Sequence, residues 1–321
     1  MIACPLALEG WVEFSRLKTG LRPARLAFGG VSDGQPGLEA LLYVDRRGRV
    51  VLPKFNAYVP LEFRPTTTHR LGKAYRRWFE LGGALAEEMR LRGIRSAINL
   101  PPEVADARPW QWQGFRASVR YTFHLDFPLK LEGIDHAPRK KKNQAEAAGY
   151  SCCRTRELAA VIECLRDTEE RQGFSLGLRL EDLLLAAELV GEESFRTYVC
   201  YAPDGTPASS RIVLHHPGWR AVDWIAGARR NHLQSGVTQL TIWTALRDLQ
   251  DAGASGFDFA GADIPGVAAS KMTWGGRLAP YYRIESYGVR MLALWFAEAM
   301  RFVQARRALH SRCVAAQSPR E

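Results

Sequence analysis

Apolar residues recur at helical spacing in five segments of the chain. Within residues 155–173, Leu158, Val161, Ile162 and Leu165 fall on one helix face, because residues three and four apart share a face. The same type of pattern predicts the other helices, over residues 73–92, 181–189, 237–252 and 289–308. We expect each of these helices to pack its apolar side against a core.

Short apolar runs between turn-forming residues predict the strands. Residues 195–201, 208–215 and 219–226 follow one another closely, separated by Pro203-Asp204-Gly205 and His216-Pro217-Gly218. Further strands are predicted over residues 24–28, 39–44, 49–53, 94–100, 119–127, 149–154, 256–260 and 281–286. Helices and strands mixed in this order indicate an α/β fold, with mixed sheets flanked by helices.

The order β-β-β-α-β occurs once in each half of the chain, which predicts two related domains. A length of 321 residues suits two domains of about 100–200 residues each. We expect an N-terminal domain over residues 1–128 and a C-terminal domain over residues 129–286. The basic segment over residues 139–144 lies near this junction.

Composition excludes several classes of protein. Hydrophobic residues make up 46% and charged residues 24%, which is typical of a globular protein and not of a disordered one. There is no apolar run of about 18 residues, so we expect no integral membrane segment. Residues 1–11 lack the basic start of a secretory signal. The six cysteines form no C-x-x-C pair and no zinc spacing, which predicts a cytoplasmic protein without a metal site.

The formal net charge is +10, with many more arginines than lysines. A basic excess favours anionic partners such as nucleic acid, phosphate-bearing ligands or an anionic membrane surface. The arginine-rich composition of proteins encoded by a GC-rich genome would produce the same excess. Charge alone leaves both explanations open.

The segment GFDFAGADIPGVAASKMTWGGRLAPYY, residues 256–282, carries the most informative motif. A strand with Asp258, a glycine turn at Gly261, then Lys271 before Trp274-Gly275-Gly276 resembles the FemABX-like branch of the GNAT superfamily. The resemblance extends over most of the chain from about residue 25, in four further segments: Leu100-Pro101-Pro102, residues 106–110, Tyr121-Thr122-Phe123, and the basic helix that begins at Arg139.

The resemblance implies tandem GNAT domains, with a C-terminal helix over residues 287–321 packed on the first domain. It also implies transfer of an amino acid from aminoacyl-tRNA to an amine, such as a cell-wall precursor peptide or another small molecule or peptide. The aminoacyl-tRNA is then a co-substrate, and no tightly bound cofactor is expected. Two alternatives remain: an acetyl-CoA- or acyl-CoA-dependent N-acyltransferase, and a non-catalytic protein that binds RNA or a peptide.

Donor binding is assigned to two basic segments. The loop over residues 228–237 contains Gly236 but lacks the second small residue that lets backbone amides reach a pyrophosphate, which favours tRNA over CoA. Arg229 and Arg230 could bind an anion of either donor. Arg139 and Lys142 are candidates for phosphates of the tRNA acceptor stem, although a run of cations is also typical of a solvated surface.

Three residues are candidates for catalysis. The resemblance implies that Lys271 stabilises negative charge on the acyl carbonyl, whereas a solvent-facing lysine is the simpler interpretation. Asp258 and Asp263 could orient the amine or accept its proton. Alternatively, Asp258 is a carboxylate at the strand end that caps a helix or pairs with an arginine, and Asp263 shapes the turn. Asp223 is predicted to lie beside Asp258, where the two could form a structural carboxylate pair.

Acceptor binding is assigned mainly to the first domain. Asp106 and Arg108 lie among aromatic residues that could line a pocket, although core packing explains most of the aromatic residues as well. The complete set of candidate substrate-binding residues is Asp106, Arg108, Trp110, Tyr121, Arg211, Asp223 and Tyr282.

Overall fold

A computed structural model describes residues 2–30, 36–65 and 70–286. The predicted helix over residues 289–308, and its packing on the first domain, therefore lie outside the described residues. Within the described ranges, no helix is long and apolar enough to cross a membrane.

The helices include every segment predicted within the described ranges. They are α1 Glu9–Thr19, α2 Leu71–Arg92, α3 Arg108–Trp112, α4 His136–Ala147, α5 Leu158–Gln172, α6 Leu180–Val190, α7 Val237–Asp251 and α8 Pro265–Met272. Helix α5 stops where predicted, because Gly173 adopts a left-handed conformation with φ of 69°. The basic segment that follows residue 138 lies inside α4, so the expected basic helix is present.

The strands are β1 Arg22–Gly30, β2 Pro36–Val44, β3 Leu61–Phe63, β4 Ile98–Asn99, β5 Phe115–Asp126, β6 Ser151–Arg154, β7 Phe195–Tyr201, β8 Pro207–Leu214, β9 Arg220–Ala228, β10 Gly256–Asp258 and β11 Arg277–Ser286. The strand predicted over residues 49–53 is wrong: only Val50 pairs there, through isolated bridges to Val44 and Ile94. The strand predicted over residues 94–100 shrinks to the two residues of β4.

Two sheets organise the described residues. Strands β1, β2 and β3 form a small antiparallel sheet, and the other eight form one sheet in the order β4-β11-β5-β10-β9-β8-β7-β6. Strand β5 belongs to the predicted N-terminal domain, yet it pairs with β10 and β11 from the other half. The predicted α/β class with mixed sheets is confirmed, while the division at residue 128 remains a prediction.

Helices cover both faces of the large sheet. Helices α5 and α6 pack on one face, against β7, β8 and β9, and α7 packs on the other with α4 beside it. Close packing requires a glycine at Gly227, since a Cβ there would lie 2.7 Å from the backbone of Cys164 in α5. The sheet is therefore a buried support for groups at its edges and strand ends.

Strands β9 and β10 are parallel neighbours that separate after three residues. They pair only between Arg220–Val222 and Gly256–Asp258. Beyond Asp258 the chain turns away, because Ala260 and Gly261 both have positive φ, 52° and 101°. No described strand continues β10 alongside residues 223–227 of β9, so this edge of β9 is open toward the turn.

Candidate active site

A network of hydrogen bonds fixes the turn that follows β10. Asp258 is buried and accepts a hydrogen bond from the Thr122 hydroxyl at 2.7 Å and another from the Ala260 amide at 2.8 Å. The Gly261 amide donates to the Thr122 oxygen at 3.0 Å. Positive φ costs a non-glycine residue about 1–2 kcal/mol, so these bonds hold Ala260 in a conformation it would otherwise avoid. We call residues 258–261 the clamped turn.

His124 on β5 faces the same carboxylate. Its Nε2 lies 3.3 Å from Asp258 Oδ2, although the angle is not that of a hydrogen bond. Arg277 lies 3.4 Å from Nδ1 and donates to it, so Nε2, the nitrogen that faces Asp258, carries a ring proton. Burial raises the pKa of Asp258, but contacts with His124, Thr122 and the Ala260 amide outweigh it and hold that pKa below its usual value. Asp258 is therefore ionised at neutral pH.

Lys271 closes the clamped turn from the side of α8. Its Nζ donates to the carbonyl oxygens of Phe259, at 2.5 Å, and Gly261, at 2.7 Å. An ammonium has three N–H groups, so one donor is not taken by these carbonyls. Lys271 is half-buried and bonded to protein groups, and is not a lysine that simply faces solvent.

The surroundings of Lys271 disfavour its charged form. Burial is the largest influence and lowers the pKa of Lys271, and the positive charge of Arg211 lowers it further. The negative charges of Asp223 and Asp258 raise it, but the net effect is a lowered pKa. Asp223 and Asp258 both lie near enough to interact with the ammonium. A lysine of lowered pKa beside an open strand edge is typical of a functional site.

Arg211 and Asp223 form a buried ion pair beside Lys271, from the adjacent strands β8 and β9. Each is less than a tenth exposed, and Arg211 Nε and Asp223 Oδ1 have no hydrogen-bond partner among the described residues. The predicted carboxylate pair of Asp223 with Asp258 is wrong. Each carboxylate has its own partner, because β9 and β10 pair Asp258 with Val222 and leave Asp223 one residue beyond.

Three cavities surround this part of β9. The largest, of about 390 Å³, reaches Val222 and Asp258. A second, of about 170 Å³, is lined by Asp223 and Ala260, and a third, of about 150 Å³, by Arg211. Cavities large enough to admit ligand groups therefore border this part of β9.

Asp263 lies at the rim of the clamped turn and is exposed. Tyr281 donates a hydrogen bond to it at 3.4 Å, and Arg120 lies 3.8 Å from its carboxylate. Both contacts are long, so Asp263 keeps more acceptor capacity than the buried Asp258, whose Oδ1 already accepts two hydrogen bonds.

The candidate acceptor residues are only partly brought together. Arg108 forms an ion pair with Asp106 at 2.7 Å and lies over the Phe79 ring at 4.8 Å. Trp110 is fully buried, with its indole nitrogen 3.3 Å from the sulfur of Met89, so it contributes to the core and does not reach a substrate.

Two further candidates of this group lie near the strand ends. Tyr121 is exposed, and its carbonyl accepts a hydrogen bond from the Ala262 amide just after the clamped turn. The Tyr282 hydroxyl donates to the Ala105 carbonyl at 3.2 Å. Neither side chain is buried, so both remain available to a ligand.

The donor candidates lie around the start of α7. Gly236 has φ of 81°, and a Cβ there would lie 2.1 Å from the Lys141 carbonyl of α4. Lys142 pairs with Glu146 at 2.7 Å and lies over the Trp243 ring at 5.5 Å, so it joins α4 to α7. These contacts give both residues a packing role.

The three arginines in this region have freer side chains. Arg139 bonds only weakly, to the Asp135 carbonyl at 3.4 Å. Arg229 and Arg230 make no side-chain ion pair with any described residue, and Arg230 is exposed. Their guanidinium groups are consequently free to meet an anionic partner.

Sequence reasoning missed Tyr58 and His124 and gave no role to Thr122. Alternation along β5 puts Thr122 and His124 on one face, which could have been noticed. Their partner Asp258 lies in the other half of the chain, and no local pattern pairs the two segments.

Within the described ranges, no group of three or more His, Cys, Asp or Glu residues could hold a metal ion. The five cysteines of those ranges are free. Burial raises the pKa of Cys4 and Cys200 to about 12, and that of Cys152 and Cys164 to about 11, so these thiols are protonated and unreactive.

Comparison with known families identifies the central part of the chain. Residues 137–266 match the model of the acetyltransferase (GNAT) domain. This segment is a GNAT domain. The GNAT assignment inferred from the motif over residues 256–282 is thereby confirmed. The GNAT domain contains the Arg211–Asp223 pair, the open edge of β9 and the clamped turn, and Lys271 follows it by five residues.

Solved structures extend the likeness beyond the GNAT domain. FemX is 15% identical, with a TM-score of 0.61, and the alignment covers 86% of this chain and 91% of FemX. L-PGS from Bacillus licheniformis is 14% identical, with a TM-score of 0.54 and 90% of each chain covered. The C-terminal domain of a protein described as a lysylphosphatidylglycerol synthetase, from Agrobacterium fabrum, is 14% identical with a TM-score of 0.53, over 87% of this chain and 89% of that domain. At these identities the fold is what is shared. No curated protein sequence is significantly similar to this chain.

Proposed function

We propose that this protein is an acyltransferase that moves an amino acid from aminoacyl-tRNA to an amine, forming an amide bond. The observation that carries the proposal is Lys271: a half-buried ammonium of lowered pKa, with one N–H unassigned, beside the open edge of β9 in a GNAT domain. An ammonium fixed at such a point can stabilise charge that develops on an acyl oxygen.

The reaction begins with attack of the neutral acceptor amine on the ester carbonyl of the donor. Lys271 donates its third N–H to the oxyanion of the tetrahedral intermediate. The ester C–O bond then breaks, and a proton lost by the amine nitrogen is taken up by the ribose oxygen of the leaving tRNA. Asp263 assists this proton movement because it is exposed and only weakly bonded. Asp258 is a positioning residue, since it is buried and its Oδ1 accepts hydrogen bonds from Thr122 and the Ala260 amide that hold the clamped turn.

The surroundings of α7 support a tRNA donor. The Lys141 carbonyl of α4 packs against Gly236, so backbone oxygen occupies space next to the helix start where a pyrophosphate would bind. Arg139, Arg229 and Arg230 supply positive charge in the same region without a strong ion pair of their own. Phosphates of an acceptor stem are their natural partners.

The names of the structural neighbours are in keeping with this donor. A lysylphosphatidylglycerol synthetase is, by its name, a protein that handles a lysyl group. The GNAT-like fold therefore suits aminoacyl groups as well as acetyl groups. A charged-tRNA donor would also make the cytoplasm the site of the reaction.

An acyl-CoA donor is the second candidate, and one observation favours it: the matching family model is described as an acetyltransferase domain. The open edge of β9 would accept the amide groups of a pantetheine arm as readily as an aminoacyl group. The two donors differ in what binds near α7.

Binding and transfer measured together test the donor. We expect transfer of radiolabelled amino acid from a mixed aminoacyl-tRNA pool to amines, and no tight binding of CoA or acetyl-CoA by calorimetry. Low-micromolar CoA binding with acetyl transfer would replace the proposal by the second candidate. Binding of charged tRNA without any transfer would indicate a non-catalytic RNA-binding protein.

A charge reversal sharpens the experiment. The double variant Arg229→Glu with Arg230→Glu should weaken binding of charged tRNA about tenfold and flatten its salt dependence, because phosphate contacts are lost. The matched control is Arg46→Glu with Arg47→Glu, two exposed adjacent arginines on the turn after β2. Equal weakening by both pairs would mean that only net charge matters, and that the region near α7 is not the binding surface.

A further inference from the structure

The cavity that reaches Val222 and Asp258 is suited to a small molecule. Its volume of about 390 Å³ falls within the range of ligand sites, roughly 300–1,000 Å³. Val222 and Asp258 line it next to the clamped turn, and Trp78 and Asp106 line its far side. A ligand filling it would extend from the first half of the chain to the reaction centre proposed above.

Most of the cavity wall is aromatic or aliphatic. Phe63 and Trp78 contact each other edge to face, with ring centroids 5.1 Å apart. Tyr58 packs on Tyr281 in the same manner, also at 5.1 Å, next to the clamped turn. Such walls favour a ligand with an apolar body.

The charge of the wall selects against anions. Its lining includes four carboxylates, Glu62, Glu103, Asp106 and Asp258, and one guanidinium, Arg220. Arg220 is already committed, because it donates to the Leu125 carbonyl and to Asp126, each at 2.6 Å. A phosphate or carboxylate on the ligand would therefore meet no free cation among the lining residues.

Two polar groups of the wall lack partners. Glu62, Asp106 and Asp258 have Arg64, Arg108 and His124 beside them, whereas Glu103 is exposed and pairs with no described residue. The Tyr58 hydroxyl is buried near Thr122 and Asp258 without hydrogen-bonding geometry to either. An unpaired carboxylate and an unsatisfied hydroxyl are the complement of an ammonium group.

We infer that this cavity binds the acceptor, and that the acceptor is a primary amine with an apolar body and no phosphate or carboxylate. The inference rests on the proposed transfer to an amine and specifies its substrate class. In the reaction the amide C–N bond forms and the ester C–O bond breaks. Of the three ammonium protons, one stays on the amide, one goes to the ribose oxygen and one is released to water.

Calorimetry without any donor tests the inference on the intact chain. The probes are 2-phenylethylamine, 3-phenylpropionate and phosphoethanolamine, which separate the apolar body from the charge. We expect 2-phenylethylamine to bind and the two anionic probes not to bind at the same concentrations.

Three variants locate the binding. Ala74→Phe fills the cavity from α2, where Ala74 is half-buried in its wall, and should abolish binding. Glu103→Gln should weaken binding about fivefold, the scale of an exposed ion pair. The control Glu188→Gln removes an exposed carboxylate on α6 that lines none of the three cavities described above, and should leave the affinity unchanged.

Several results would overturn the inference. They are tighter binding of either anionic probe than of 2-phenylethylamine, no binding of 2-phenylethylamine, and unchanged affinity in Glu103→Gln. If Ala74→Phe does not fold, the Glu103→Gln variant and the three probes still decide the question. The calorimetry contains no donor and so tests acceptor binding alone. If the amine binds there but the separate transfer assay shows no transfer from tRNA, only the proposed donor is refuted. Efficient transfer to a phosphorylated acceptor would support the proposed function and refute the substrate class.

Discussion

Replacing Lys271 with alanine separates a structural role of this residue from a catalytic one. The substitution removes the two hydrogen bonds to the Phe259 and Gly261 carbonyls. Both carbonyls lie in the clamped turn next to half-exposed positions, where water can replace the lost donor. We therefore expect a loss of about 1–2 kcal/mol in the free energy of unfolding, less than the gross strength of two charge-assisted bonds. The melting temperature should fall by a few degrees.

The effect on turnover should be much larger. Loss of one electrostatic donor to a developing oxyanion costs about 10²–10³-fold in kcat. The assay is the initial rate of radiolabelled acyl transfer, from whichever donor supports turnover, with circular dichroism to verify the fold. Lys271→Arg should recover only part of the rate, because the guanidinium is wider and its charge lies elsewhere.

Thr122→Val is the matched control for the clamp. It removes the hydroxyl that bonds Asp258 and the Gly261 amide, and so loosens the same turn without touching the ammonium. If Lys271 acts on the acyl oxygen, this variant should keep most of the wild-type rate. Equal losses in both variants would mean that Lys271 only holds the turn. A near-wild-type rate for Lys271→Ala would refute any catalytic role.

Three more predictions concern pH and stability. Because the pKa of Lys271 is lowered, its ammonium deprotonates at a lower pH than that of an ordinary lysine. The decrease of kcat at alkaline pH should therefore begin below about pH 10.4. The residual kcat of Lys271→Ala should not show this decrease. Asp258→Asn should cost about 3 kcal/mol in urea unfolding at pH 7. Since the pKa of Asp258 is lowered, its contribution is present above about pH 3.9 and lost as pH falls through the folded-state pKa, so the deficit should shrink in acid. Gly236→Ala should cost at least about 2 kcal/mol in the same assay, because it combines a positive φ with a clash on the Lys141 carbonyl.

The sequence alone determined the elements whose burial follows a local period. Strand β7 spans the predicted residues 195–201, and α7 begins at the predicted Val237. In both, a strong apolar pattern lies between turn residues, so the local preference and the final packing agree. The motif that contains Lys271 was also visible, because its strand, glycine turn and lysine lie within 27 consecutive residues.

Tertiary structure decided where the weaker segments went. Residues 49–53 have the composition of a strand, but only Val50 forms β-bridges, one to Val44 and one to Ile94. The neighbouring segments offer these single bridges and no continuous edge. Trp110 lies in a polar stretch that suggests a pocket, yet it is fully buried against α2. Composition reports how often a residue type is buried and cannot report which neighbour covers it.

The centre of the candidate site depends most on the tertiary structure. Thr122 and Asp258 are 136 residues apart in the chain and meet because β5 of the first half pairs with β10 of the second. That pairing turns Asp258 from a candidate base into a group that holds the clamped turn. Tyr58 joins the cavity wall beside it and packs there on Tyr281 of β11. Local periodicity determines which face of a strand a side chain occupies. Which strand becomes its neighbour depends on contacts between distant segments, and those exist only in the folded chain.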